Sequence, residues 1–360
     1  MNGPEASRPA HGRIALCACL APLIAALAAL IGLMSLPALA EDAAASLKPV
    51  SIGFLRHAYG TWTGKIADGS YERAAGKAIR WIPFETDSAV AAAMASGRID
   101  IGMMGISVVA AAVSRGLDLH VFYVMGSSRE TEGLIVSSAL NYRPGDPKSL
   151  TSKVIAVPFG STAHFRLLQS LRRWGMAPGD VRLVNLQPQQ IVEAWAHSEL
   201  DAAVVSEPVL TGLKAVGRFV PLPPAGANDG LLVFATGSEF LQRNRAILAR
   251  FVDVTARADT VYTEMSGPLT ADRAEIRSIA FLTGLPAAEV IGTIARYRPP
   301  LIQDQTTQRW LGGGAASALA GELKASAELW KWGGRLDKTD VDYGTAISPG
   351  PVDQALSMQR

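Results

Sequence analysis

Residues Val154 to Phe165 read Val-Ile-Ala-Val-Pro-Phe-Gly-Ser-Thr-Ala-His-Phe, a run whose residue types suit the holding of an anion. The four apolar residues Val154–Val157 predict a buried strand, which Pro158 ends because it has no N–H for the ladder. Gly160 permits a tight turn, and Ser161 and Thr162 are helix N-cap types. An apolar-periodic segment follows, with Phe165, Leu167, Leu168, Leu171 and Trp174. Free N–H groups and the positive end of a helix dipole point out of such a turn and favour an anion. The same residues also describe an ordinary capped turn, so both readings stay open at this point.

Candidates for covalent or metal chemistry are sparse. His11 falls in the leader discussed below, and His57, His120, His164 and His197 lack metal-ligand spacing. There is no Gly-x-Ser-x-Gly elbow, P-loop or Gly-x-Gly-x-x-Gly after a strand. Ser161 and His164, three apart, form at most a weak nucleophile pair, since His164 there lies along the helix face. Asp100 and Asp201 each follow an apolar residue at a helix-to-strand turn, where a carboxylate caps backbone more often than it catalyses. No metal, cofactor or catalytic set is expected.

The elements that must position such a turn can be read along the chain. Residues 49–55 predict a first strand, and Arg56, His57, Tyr59, Trp62 and Thr63 follow at its carboxyl end, where open α/β sheets place ligands. Arg56 and Trp62 would give a cleft a fixed cation and a rigid wall. Residues 79–84 read as an edge strand, and Thr86-Asp87-Ser88 caps a helix over Ala89–Ser96. A strand from Ile99 enters a turn at Gly105, and Ser107 opens a helix that ends by Gly116, a second N-terminus able to face an anion. The segments 94–107 and 195–208 share one grammar of helix, apolar-Asp pair, strand and turn, which predicts two similar lobes. Further on, helices are expected over Asn244–Tyr262, Ile276–Leu282, Ala287–Ala295 and, broken by Gly312–Gly314, Thr306–Trp332. The aromatic Trp310, Trp330 and Trp332 read as core or lobe packing.

Residues 1–40 read as a cleavable export signal, with Arg8 and Arg13, an apolar run over Ile14–Leu36 and an Ala-Leu-Ala site before Glu41. Both cysteines, Cys17 and Cys19, lie in it, so the exported chain would rely on its core rather than on disulfides. About 320 residues remain, enough for two lobes. The net charge of +2 for the whole chain argues against non-specific nucleic-acid binding.

The segments 154–165, 174–188, 191–195 and 199–208, with 91–107 upstream, together resemble the taurine and aliphatic-sulfonate solute-binding proteins of ABC importers, over roughly residues 48–345. The resemblance implies an α/β chain with the type II periplasmic-binding-protein fold, two lobes joined by a hinge with the ligand between them. It places the first lobe at 47–133 and 232–345, the second at 134–231 and a flexible tail at 346–360. It further implies a monomer that delivers taurine or another small sulfonate to a membrane permease from the periplasm. By that resemblance Ser161, Thr162 and Ala163 face Gly105 and Ser107 across the sulfonate, and Trp195 packs on the ligand's carbon chain or else between helix and sheet; His164, from its place in the first helical turn, either donates to the ligand or stays solvated. This chain departs from the taurine branch at Gly105-Ile106-Ser107-Val108, at Ser206-Glu207-Pro208 and at Leu232. An ammonium would then need Glu207, Glu132, Asp87 or Asp229, since an unpaired buried charge is costly. A ligand without an amine, a carboxylate met by Arg56, nitrate, a pyrimidine precursor, or an exported enzyme of this fold remain the alternatives.

Overall fold

The computed structural model describes residues 48–127, 132–143, 145–223, 230–263 and 268–360. The export segment expected at 1–40 and the candidate acid Asp229 lie outside them. The chain divides after Pro49, and the unit from Val50 to Arg360 carries both sheets.

The first sheet contains β1 (Val50–Leu55), β2 (Ile79–Phe84), β3 (Ile101–Gly105), β4 (His120–Ser127) and β10 (Leu231–Thr236). Its order is β2-β1-β3-β10-β4. The second contains β5 (Glu132–Ser137), β6 (Val154–Val157), β7 (Arg182–Asn185), β8 (Ala202–Ser206) and β9 (Gly217–Val220), in the order β7-β6-β8-β5-β9. In each, the first three strands run parallel and the fourth is antiparallel to both neighbours. The antiparallel strand of each sheet is the one the chain enters on crossing: β5 outward and β10 on return.

Why the strands read as unbroken apolar runs is visible in the second sheet. Ile155 and Val157 join one core with Leu134, Val136, Val204 and the helix residues Ala163, Leu167 and Leu171. The intervening Ala156 joins another with Ile135, Ala203, Ile191 and Leu210. Period-two alternation therefore feeds two cores, because helices cover both faces. Asp100 and Asp201 play equivalent roles in the two sheets. Each carboxylate accepts from a backbone N–H near the start of a neighbouring strand, Ser51 N in β1 and Val154 N in β6, both at 2.8 Å.

Helices needed below are α1 (Thr61–Ala67), α2 (Asp87–Ala95), α3 (Ile106–Ser114), α4 (Thr162–Arg173), α5 (Pro188–Ala196), α6 (Val209–Lys214), α7 (Arg245–Thr263), α8 (Ala274–Thr283), α9 (Ala287–Arg296), α10 (Ala318–Trp332) and α11 (Gly350–Met358). The last corrects the expectation of a flexible tail at 346–360. Val352 and Ala355 of α11 are fully buried in the first-sheet core, and Ser348 N donates to Val121 O at 2.8 Å. A short apolar strip at i, i+3 is enough to dock this helix.

Candidate functional site

The turn at residues 158–164 forms as a strand-to-helix connection, with Gly160 at φ +75°. Ser161 caps α4. Its Oγ accepts from His164 N at 3.2 Å and donates to Pro158 O at 2.6 Å. His164 Nδ1 accepts from Gly160 N at 3.1 Å, and its ring stacks on Phe159 and meets Trp330 edge-on. Both side chains thus brace the turn. Ser161 and His164 do not bond to each other through their side chains as a nucleophile and base would.

Thr162 reaches the other sheet. Its N–H donates to Asp87 Oδ1 at 3.1 Å, and its hydroxyl donates to Asp87 Oδ2. Gly105 N, at the end of β3, donates to the same Oδ2 at 3.3 Å. Asp87 opens α2 one residue after the cap Thr86, and only 3% of it is exposed. Its carboxylate is therefore received by two backbone N–H groups and a hydroxyl drawn from both anion turns. Gly105 must be glycine here for close approach rather than for its backbone angle, since a Cβ would land against Thr162 Oγ1 and 3.0 Å from Asp87 Oδ2. Burial pushes the Asp87 carboxyl up, opposed by the bonds from Thr162 and Gly105.

Around this contact lies a small cleft of about 20 Å³. His57, Asp87, Glu132, Thr162 and Glu207 are among the residues that line it, with Ser161 and Ala163. That volume holds roughly one water. Of the four acids on its lining, Glu85 pairs with Arg56 at 2.8 Å, and the other three differ in what already neutralises them. Glu207 Oε2 accepts from Thr211 N at 3.0 Å, and Oε1 stands 3.7 Å from Lys214 Nζ. Glu132 lies 3.7 Å from the Arg166 guanidinium, with both side chains buried. Asp87 has only neutral donors, and among the described residues no cation stands against it. His57 is held neutral, its pKa lowered by burial to about 4 against the opposing charge of Glu85.

Other candidates lie elsewhere. Ser107 is 2% exposed, and its hydroxyl has no hydrogen-bond partner among the described residues, while its carbonyl accepts from Trp330 Nε1 at 2.8 Å. Trp62 is not a wall of this cleft. It falls on α1, is 1% exposed, and packs against Phe54, Trp81 and Phe234. Arg56 also misses the cleft and pairs with Glu85 at 2.8 Å on the surface. Trp195 packs within the second sheet's helix layer, its ring over Gly217. Two residues that matter escaped the sequence reading. Arg166 sits one helical turn after Thr162 and so shares its face, a spacing that could have revealed it. Trp330, read only as packing, ties the backbone of the Ser107 turn to the rings of His164 and Phe165.

Residues 71–264 match the family model described as NMT1/THI5 like. The chain is 28% identical to the taurine-binding periplasmic protein of Escherichia coli (strain K12), over 78% of this chain and 86% of that one. It is 27% identical to a putative aliphatic sulfonates-binding protein of the same strain, over 76% and 83%. Among solved structures it resembles the alkanesulfonate-binding protein SsuA of Xanthomonas axonopodis pv. citri, bound to MOPS, with a TM-score of 0.67 and 23% identity over 83% of this chain and 98% of that one. The shared architecture is the periplasmic-binding-protein fold, with its two α/β lobes.

Proposed function

The chain belongs to the NMT1/THI5-like family, and from that premise we propose that it is the periplasmic solute-binding component of an ABC importer. Its ligand is a small amino-sulfonate of the taurine class, held between the two sheets and passed to a membrane permease. The names of its relatives, a taurine-binding periplasmic protein and a putative aliphatic sulfonates-binding protein, support the sulfonate ligand and the periplasmic setting. One observation carries the site assignment: the turn at Thr162 already receives an oxyanion, the carboxylate of Asp87. A sulfonate spreads one negative charge over three oxygens and can be met by the same neutral donors.

The cleft is too small for such a ligand with Asp87 in place. Entry of the sulfonate therefore displaces Asp87, and the freed carboxylate turns to the ligand's ammonium. Asp87 is the suited acid because Glu207 and Glu132 already have cations beside them. A buried carboxylate without a counter-charge is costly, and an ammonium removes that cost. Binding rather than turnover is the better reading of Ser161, because both roles of its hydroxyl are committed to backbone.

Calorimetry on protein unfolded and refolded to strip carried-over ligand tests this. Taurine should bind at least about tenfold more tightly than ethanesulfonate, and Asp87→Asn should erase most of that preference. Equal affinities for the two in the wild type, or an intact preference in the variant, would rule out Asp87 as the ammonium partner.

A further inference from the structure

The loop after β1 was expected to line one cleft, but its residues divide between two. His57 faces the inter-sheet cleft, whereas Arg56, Tyr59 and Trp62 line a separate cavity of about 190 Å³. Among the described residues, only Leu55 is common to both linings. The walls of the larger cavity are aromatic: Trp62 and Trp81 lie 6.2 Å apart at 37°, and Phe54 stands nearly edge-on to each. These walls are pinned. Trp81 Nε1 donates to Glu72 at 3.1 Å, and the Tyr59 hydroxyl is bonded to Thr293 of α9 at 2.9 Å. The cavity is thus held open by its surroundings rather than free to collapse.

Its polar groups are few. The Thr63 hydroxyl accepts from Gly60 N, and that of Thr283 donates to Ile279 O. Among the described residues, Arg56 is the one charged residue of the lining. With Leu282, it marks the mouth, since the two are 47% and 39% exposed. Arg56 spends Nε on Glu85, and a guanidinium has four further N–H donors. An apolar space of roughly 150 Å³ is known to stay dry and to admit benzene, so this one has room for a single ring.

We propose that this cavity is a second ligand site, which takes a small aromatic monoanion. The ring lies among Phe54, Trp62 and Trp81, and the anionic group meets Arg56 at the mouth. Offset and edge-to-face contacts with the three rings favour a planar aromatic body over a branched aliphatic one. The planar guanidinium favours a carboxylate or sulfonate head. The site shares no donor with the Thr162 turn, so it stands or falls apart from the amino-sulfonate reading.

Benzoate is the probe, titrated into the purified protein by calorimetry with tryptophan emission recorded in parallel. Saturable binding with a change in emission is expected. Arg56→Gln should weaken it about fivefold or more, and Leu282→Trp, which fills the mouth at a half-exposed position, should abolish it. Thr162→Pro, which disables the cleft turn, should leave it unchanged. The proposal is overturned if millimolar benzoate gives neither heat nor an emission change. It is equally overturned if Thr162→Pro removes binding while Arg56→Gln and Leu282→Trp keep it, because the benzoate would then sit in the cleft.

Discussion

At the scale of single residues, His164 sets how the site responds to acid. Its ring is fully buried, and burial, with the charge of Arg335 adding, lowers its pKa from 6.5 to about 3. The native state therefore refuses a proton that the unfolded chain accepts between about pH 3 and 6.5. His57 acts in the same direction. Their contribution to stability is present above pH 6.5 and is lost as pH falls. Asp259 works the other way. Its pKa is raised to about 7 by burial, so its native carboxyl keeps a proton that the unfolded chain releases above 3.8, and this costs stability as pH rises. The histidines' share of the stability should therefore be lost below pH 6.5, against the opposite trend of the raised Asp259 and Asp87. His164→Phe keeps the stack on Phe159 but leaves Gly160 N without its acceptor. In urea titrations it should be less stable than wild type by about 1–3 kcal/mol at pH 7. At pH 5 the gap should close, because the wild type has by then lost about 2 kcal/mol at this residue alone. A gap that stays constant between the two pH values would show that His164 is not held neutral.

At the scale of elements, what was legible depended on whether the signal was local. The run Val154–Val157, the turn at Gly160 and the cap Ser161 lie within a few residues of one another, and the strand, turn and helix form where the sequence places them. The loop after β1 was not legible in the same way. That Trp62 belongs on α1 and turns inward is decided by Phe54, Trp81 and Phe234, two of which are distant in sequence. The terminal helix α11 was lost to a composition of small and polar residues, although Pro351 in its first turn and the spacing of Val352 and Ala355 were there to be read. Truncation after Ser348 should therefore cost about 3–5 kcal/mol, the scale of emptying a core position of its side chains. A melting temperature equal to that of the full chain would return this segment to the status of a loose tail. Gly105→Ala probes the opposite kind of position. The added methyl meets Thr162 and Asp87 rather than open core, so it should weaken sulfonate binding by about tenfold or more with little change in melting temperature.

At the scale of the whole molecule, the repeated grammar of residues 94–107 and 195–208 becomes two sheets of one topology, with Asp100 and Asp201 at equivalent strand starts. The sequence could suggest two such halves, but not that one would supply an anion to the other's anion site. That follows from Asp87 of α2, attached to the first sheet, seated on Thr162 of α4, attached to the second. In proteins that close around a ligand, closure is stable when something bridges the lobes. Here Asp87 is a bridge of the chain's own, so the ligand-free protein should spend much of its time closed. Asp87→Ala removes the bridge while leaving the cap Thr86 and the rest of α2 intact. By small-angle X-ray scattering the ligand-free variant should show a larger radius of gyration than the ligand-free wild type. Saturating taurine should bring the two together, because the sulfonate then bridges the turns. If the ligand-free variant and wild type scatter alike, the Asp87–Thr162 contact does not hold the lobes, and closure must rest on the packing of Trp330 between the two turns.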